Sequence, residues 1–111
     1  MAIDIGTCIA QDFAAYVNSA FYVEHERVGK LEFRLLSISD TPHFKPQFVW
    51  AKRPPFSLFF ASPQGYEVGQ GTLTLHHKAL GKMMVFLVPV GRVGGNSHDL
   101  TQPLLLQCSF N

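Results

Sequence analysis

Charged residues are scarce in this chain of 111 residues, at 15% of the sequence against about 25% in ordinary globular proteins. The nine basic residues and eight acidic residues leave a formal net charge of +1, and the bases form no run. A nucleic-acid-binding surface needs clustered bases that neutralise phosphates, so no nucleic-acid partner is predicted. With 47% apolar residues and so few charges, we expect another subunit or a partner protein to cover part of the surface.

Long hydrophobic runs are also missing. The longest, residues 83–90, is far shorter than the roughly 20 residues that a transmembrane helix needs. The N-terminus, MAIDIGTCIAQDF, carries acids where a signal peptide carries bases. The sequence therefore predicts cytoplasmic synthesis and no membrane partner.

Cysteine is limited to Cys8 and Cys108, near opposite ends of the chain. Neither lies in a Cys-x-x-Cys motif, and no metal-ligand spacing surrounds them. Two reduced, half-buried thiols are the favoured interpretation, although a disulfide stays open if the terminal segments pair. Apolar neighbours should raise the pKa of Cys108 and leave its thiol inert.

Motifs for catalysis, metal binding or cofactor binding are incomplete. His76 and His77 are adjacent, so on a strand their side chains leave opposite faces and cannot easily hold one ion together. Ser57 lacks the Gly-x-Ser-x-Gly setting of a nucleophile elbow, and Gly81-Lys82 lacks the rest of a phosphate-binding loop. The sequence therefore predicts no catalytic residue, no metal ligand and no cofactor. An enzyme with a scattered site is kept as a minor alternative.

Hydrophobic periodicity predicts one short helix followed by strands. Apolar residues in 9–19 have helical spacing, and Asn18 with Ser19 is a stop signal. From Phe21 onward the period changes to two. The strand candidates begin near residue 21 and cover 31–35, 56–60, 71–77, 83–90 and 103–110. We expect one all-β domain over residues 1–111, a small antiparallel β-sandwich or barrel of about six to eight strands with one short N-terminal helix.

Three segments carry more specific expectations. Residues 83–90 are apolar on both faces, as in a central sandwich strand, and that strand should end or reach a sheet edge at Pro89. Residues 39–46 and 91–99 have turn residues and little periodicity, so loops are predicted there.

Aromatic side chains are more numerous than a small core needs. Ten phenylalanines and one tryptophan are present, and interface cores are enriched in aromatic residues and depleted of charge. We therefore predict a partner-binding role for Phe44, Phe48, Trp50 and Phe59. A small-ligand or lipid-binding barrel, with aromatic rings lining a cavity, is the alternative.

A series of motifs runs in order through most of the chain. The series comprises Asp12-Phe13, Arg53-Pro54-Pro55-Phe56-Ser57-Leu58-Phe59-Phe60, Pro63, Gln70-Gly71-Thr72, His76 or His77, Leu80-Gly81, Val85-Phe86-Leu87-Val88-Pro89-Val90-Gly91 and Phe110. In these residues the chain resembles a small bacterial domain family of unknown function. An aromatic-rich insert at residues 44–50 departs from the family pattern.

The resemblance implies a function as well as a fold. Members of that family tend to be encoded beside proteins with phage tail-collar domains. This association implies a non-enzymatic structural or assembly accessory that binds a tail-collar fibre protein, either as a chaperone or as a built-in subunit. It also implies a location in a phage-tail-like particle or surface fibre, with homo-oligomerisation left open. The family names no catalytic residue.

Overall fold

The computed structural model describes residue 4 and residues 6–27, 29–40, 55–63, 68–96 and 98–110. Within these residues, one helix precedes six strands. The elements are α1 (Gln11–Ala14), β1 (Ala20–His25), β2 (Gly29–Asp40), β3 (Phe56–Ala61), β4 (Gly71–His77), β5 (Gly81–Arg92) and β6 (Leu104–Phe110). The strands close into an antiparallel barrel in the order β1-β2-β3-β6-β5-β4. The prediction of an all-β fold is confirmed, and the strands form a barrel rather than a β-sandwich.

The helix is shorter than the apolar spacing suggests. A single turn forms because the backbone groups that follow it are used by β2: Leu35 accepts a hydrogen bond from the Asn18 amide and donates one to Ser19. Asn18 adopts a φ of 73°, a left-handed conformation that asparagine tolerates better than most residues. The helix thus ends at Ala14, before the stop that the sequence predicts at Asn18, and Asn18 instead lies in the turn that leads to β1. Among the residues that the structure describes, no helix has the length and apolar character needed to cross a membrane.

Two glycines make the tight hairpins. Gly29 pairs with His25 at the start of β2, and Gly81 pairs with His77 at the start of β5. Their φ angles are 80° and 81°, in the region that only glycine enters without a steric cost. Glycine at these two positions thus allows the period-two segments of the sequence to pair as hairpins.

The two long strands, β2 and β5, bend so that the barrel can close. Each has a register shift, between Leu35 and Ser37 in β2 and between Pro89 and Gly91 in β5. Such bulges bend a strand and increase its twist. Two loop predictions are corrected here: β2 continues to Asp40, and β5 continues past Pro89 to Arg92, because a bulge accommodates the proline that lacks an N–H donor.

The core fills the inside of the barrel. Phe21 and Phe60 meet edge to face at 5.2 Å between ring centroids. At one end, Phe13 of α1 packs against Phe56 and Phe110, whose rings stack at 4.7 Å. The remaining buried apolar residues are Cys8, Phe33, Leu35, Leu58, Leu75, Met83, Val85, Leu87, Leu106 and Cys108.

The expectation that residues 83–90 are buried on both faces is wrong. In β5, Met83, Val85 and Leu87 point inward and are buried, whereas Met84 and Phe86 point outward and are exposed. A closed barrel covers only the inner face of each strand, and no second layer of described residues lies over the outer face of β5.

Candidate functional site

Of the four predicted contact residues, one can be placed. Phe59 lies on the outer face of β3, half-buried, between Ser37 of β2 and Gln107 of β6. Phe44, Phe48 and Trp50 lie outside the described residues, so their predicted role stays a prediction. Phe59 belongs to a larger outward surface.

That surface spans the outer sides of β3, β6, β5 and β4. Its most exposed large apolar members are Met84 and Phe86, with 56% and 50% of their surface accessible. Gln107 connects the two halves, because it pairs with Phe59 on one side and with Val88 on the other. Lys82 is charged and exposed on this side, at the start of β5, where it pairs with His76. Beyond that end the described outward residues are uncharged, and we call them together the charge-free face: Ser57, Phe59, Ala61, Thr72, Thr74, Met84, Phe86, Val88, Val90, Leu105, Gln107 and Ser109.

The opposite side of the barrel has a different chemistry. The outer faces of β1 and β2 present Glu24, Lys30, Glu32 and Arg34, all exposed. Arg34 forms an ion pair with Glu32 at 3.0 Å. These four charged side chains distinguish this side from the charge-free face, as expected for a solvated surface. Charge depletion together with exposed aromatic and methionine side chains is the composition of an interface core.

Phe86 and Met84 are the members of this face that sequence reasoning missed. The sequence predicts that residues 83–90 form a strand buried on both faces, because polar residues do not alternate with apolar ones there. The adjoining strand held a signal: Thr72 and Thr74, its outward residues, pair with Phe86 and Met84. A second layer that covered the outer face of β5 would also bury the hydroxyl groups of Thr72 and Thr74. Burial of hydroxyl groups costs free energy unless they find hydrogen-bond partners, so the two threonines indicate an uncovered face.

A second cluster brings together a serine and a histidine. Ser19 Oγ lies 2.9 Å from His77 Nε2, and the His77 Nδ1 accepts hydrogen bonds from the backbone amides of Ala79 and Leu80 at 3.0 and 3.1 Å. The His77 ring is buried against Tyr16 and Phe21. A groove of about 580 Å³ opens over this cluster.

The geometry of this cluster fixes the proton on His77. Because Nδ1 accepts two N–H donors, the neutral ring carries its proton on Nε2, which donates to Ser19 Oγ. The Ser19 hydroxyl in turn donates to the Tyr16 carbonyl. A serine nucleophile needs a histidine nitrogen that can accept its proton. We therefore assign the Ser19–His77 pair a structural role, joining the turn after α1 to the β4–β5 hairpin.

Both cysteines are buried thiols, Cys8 at 3% and Cys108 at 2% accessible surface. This corrects the expected half-burial and shows no disulfide between them. Burial, with a smaller contribution from Cys8, raises the pKa of Cys108 to about 12, as its apolar surroundings predicted. Among the described residues, no three His, Cys, Asp or Glu side chains come together to hold a metal ion.

The thiol of Cys108 should resist alkylation in the folded protein. At pH 8 only about one part in 10⁴ of a thiol with this pKa is thiolate, the reactive form. Incubation with iodoacetamide followed by mass spectrometry should leave Cys108 unmodified over hours, whereas urea-unfolded protein should be alkylated at both cysteines. Rapid modification of Cys108 in the folded state would contradict the burial described above.

Comparison with known proteins gives one match. A model of the domain of unknown function DUF6916 matches residues 9–99, which include α1 and the strands β1 to β5. No curated protein and no solved structure matches the chain. The description of the matching family names no activity, ligand or partner.

Proposed function

We propose that this chain, which belongs to the DUF6916 family of domains of unknown function, is a non-enzymatic structural or assembly accessory. Its charge-free face binds a partner protein. The observation that carries this proposal is the contrast between the two sides of the barrel. Exposed Phe86 and Met84 lie in the charge-free face, with Lys82 at its edge, and Glu24, Lys30, Glu32 and Arg34 occupy the other side.

Burial of the exposed apolar side chains supplies the driving force. Full burial of a phenylalanine or methionine side chain contributes roughly 1.5–3 kcal/mol, and about half of each is already covered by neighbours. An aromatic residue near the centre of such a patch commonly dominates the binding energy. Phe86 has this position, with Met84 and Val88 as its outward neighbours along β5.

The partner that we propose is a tail-collar fibre protein, with this chain acting as its assembly chaperone or as a built-in subunit. This part of the proposal rests on the resemblance of residues 53–91 to a family encoded beside tail-collar proteins. A charge-free face agrees with either role, since both require a lasting protein contact. Retention of the chain in purified fibres would distinguish a subunit from a chaperone.

The test is a binding measurement with the purified chain and a tail-collar fibre protein from the same genome, by isothermal titration calorimetry. Phe86→Lys should weaken binding about tenfold or more, because a buried ammonium opposes the association. The matched control is Leu100→Lys, which makes the same kind of change at a side chain that is 69% exposed and lies between β5 and β6.

Circular dichroism melts should show that both variants keep the wild-type fold. The control should bind with nearly wild-type affinity. If Phe86→Lys binds as well as the wild type, the charge-free face is not the binding surface. If the wild-type chain binds no tail-collar protein, the assignment of the partner is wrong.

A further inference from the structure

The barrel has one weak closure, between β1 and β4. In the described part of the chain these strands pair only at Tyr22 and His76, whereas every other pair of neighbouring strands shares a longer register. Beyond this pair, towards His25 of β1 and Gly71 of β4, no further pairing of the two strands is formed among the described residues, which leaves an opening in the sheet. We call this opening the seam.

A pocket of about 370 Å³ lies at the seam. Its apolar wall is formed by Val23, Leu31, Phe33, Val68 and Leu73. Phe33 is only 1% exposed, so it lies at the deep end, and the four aliphatic side chains pack partly buried against the core. The wall is therefore the inner surface of the barrel, reached from outside through the seam.

The remaining side chains of the pocket are polar and uncharged. They belong to His25, Gln70 and Thr72, and none of the lining residues that the structure describes is Asp, Glu, Lys or Arg. His25 Nδ1 accepts the amide of Arg27 at 3.1 Å, which places the ring proton on Nε2. An apolar pocket with a few convergent hydrogen-bonding groups, in a volume of roughly 300–1,000 Å³, is typical of a small-molecule site.

The lumen deeper in the barrel is filled by side chains. Phe21, Phe60, Leu75 and Leu87 are fully buried within the closed sheet. Barrels of about eight strands have just enough interior for side chains or one small ligand, and a six-stranded barrel is narrower. A ligand therefore has room at the seam rather than at the barrel centre.

We infer that the seam pocket binds a small, uncharged, mainly apolar molecule that carries one hydrogen-bonding group. The aliphatic wall and the Phe33 ring would cover the apolar part, and His25, Gln70 or Thr72 would bond the polar group at the entrance. An ionic ligand would lose its hydration there without gaining a counter-charge. Of the described residues that line the pocket, only Thr72 also belongs to the charge-free face. The inference does not depend on the proposed function.

The experiment uses N-phenyl-1-naphthylamine, an uncharged aromatic amine that becomes fluorescent in apolar surroundings. Titration into the full chain should give saturable binding of one probe per chain. Leu73→Trp places a larger side chain in the pocket and should weaken binding about tenfold or more, a loss of ~1.4 kcal/mol or more. Val23→Phe, on the other side of the seam, should act in the same direction.

Phe86→Lys is the control, since it alters the charge-free face and leaves the seam intact. It should bind the probe like the wild type, and thermal melts should show that each variant is folded. Equal weakening by Phe86→Lys, or fluorescence that never saturates, would overturn the inference, because either result means adsorption to exposed apolar surface. A different result is that the tail-collar protein competes with the probe and that the Leu73→Trp variant also binds the tail-collar protein more weakly. In that case the pocket holds a side chain of the partner protein and not a small molecule.

Discussion

Replacing Phe60 with alanine should lower the free energy of unfolding by about 3–5 kcal/mol, the usual cost of removing a fully buried ring. Phe60 is 0% exposed and meets Phe21 edge to face in the barrel core. The neighbouring side chains belong to paired strands, which cannot easily collapse into the space left by the ring. Such a loss is a large part of the 5–15 kcal/mol that stabilises a typical domain. Urea unfolding at pH 7 would measure it.

The matched control is the adjacent residue. Phe59→Ala removes the same ring from the outer face of β3, where the side chain is half-buried. We expect a loss of only about 1 kcal/mol, because the ring is already partly in water. Similar losses for the two variants would contradict the inward and outward assignment of β3. On the proposed function, Phe59→Ala should weaken partner binding, which Phe60→Ala should affect only through stability.

The strands with polar outer faces were predictable from the sequence. In β4, Leu73, Leu75 and His77 alternate with Thr72, Thr74 and His76, and the period of two reveals which side faces the core. Glycine at position 81 marks the following hairpin, because its left-handed backbone angle excludes most other residues. Both features can be predicted from the sequence, because each depends only on residues that lie close together in the chain.

The candidate site was less predictable for a physical reason. Alternation identifies the inner face of a strand only when the outer residues are polar, and in β5 both sides are apolar. An apolar outer face is consistent with a second layer of the same chain or with a partner, and the sequence does not distinguish them. Closure of the sheet into a barrel, which depends on long-range pairing, means that the described strands form no second layer over β5. The Ser19–His77 contact joins residues far apart in the chain and has no local signal.

Lowering the pH from 7.5 towards 5 should destabilise the protein through His77. Burial lowers the pKa of His77 below its usual value of 6.5. Protonation would put a hydrogen on Nδ1, which at present accepts hydrogen bonds from the amides of Ala79 and Leu80. The new Nδ1–H group and the two amide N–H groups are all donors and would repel one another, so both hydrogen bonds of the β4–β5 turn would be lost. The neutral ring is therefore the form that the folded state requires.

The direction of the effect follows from proton binding. Below pH 6.5 the unfolded chain protonates His77 while the folded chain resists, so the unfolded state binds more protons. The stability due to neutral His77 is fully present above pH 6.5 and is lost as the pH falls towards the lower pKa of the folded state. In that interval the loss is up to about 1.4 kcal/mol per pH unit. Urea unfolding at several pH values between 5 and 7.5 would measure it.

Two neighbouring histidines allow a matched comparison. His77→Gln removes the titrating ring, so it should flatten the pH dependence between 5 and 7.5. It should also cost roughly 1–3 kcal/mol at pH 7, since the two backbone amides lose their ring acceptor. His76→Gln changes a half-buried residue on the outer face of the same strand and should leave the slope nearly unchanged. If the His76 variant flattens the profile and the His77 variant does not, the inner histidine is not the group that couples folding to pH.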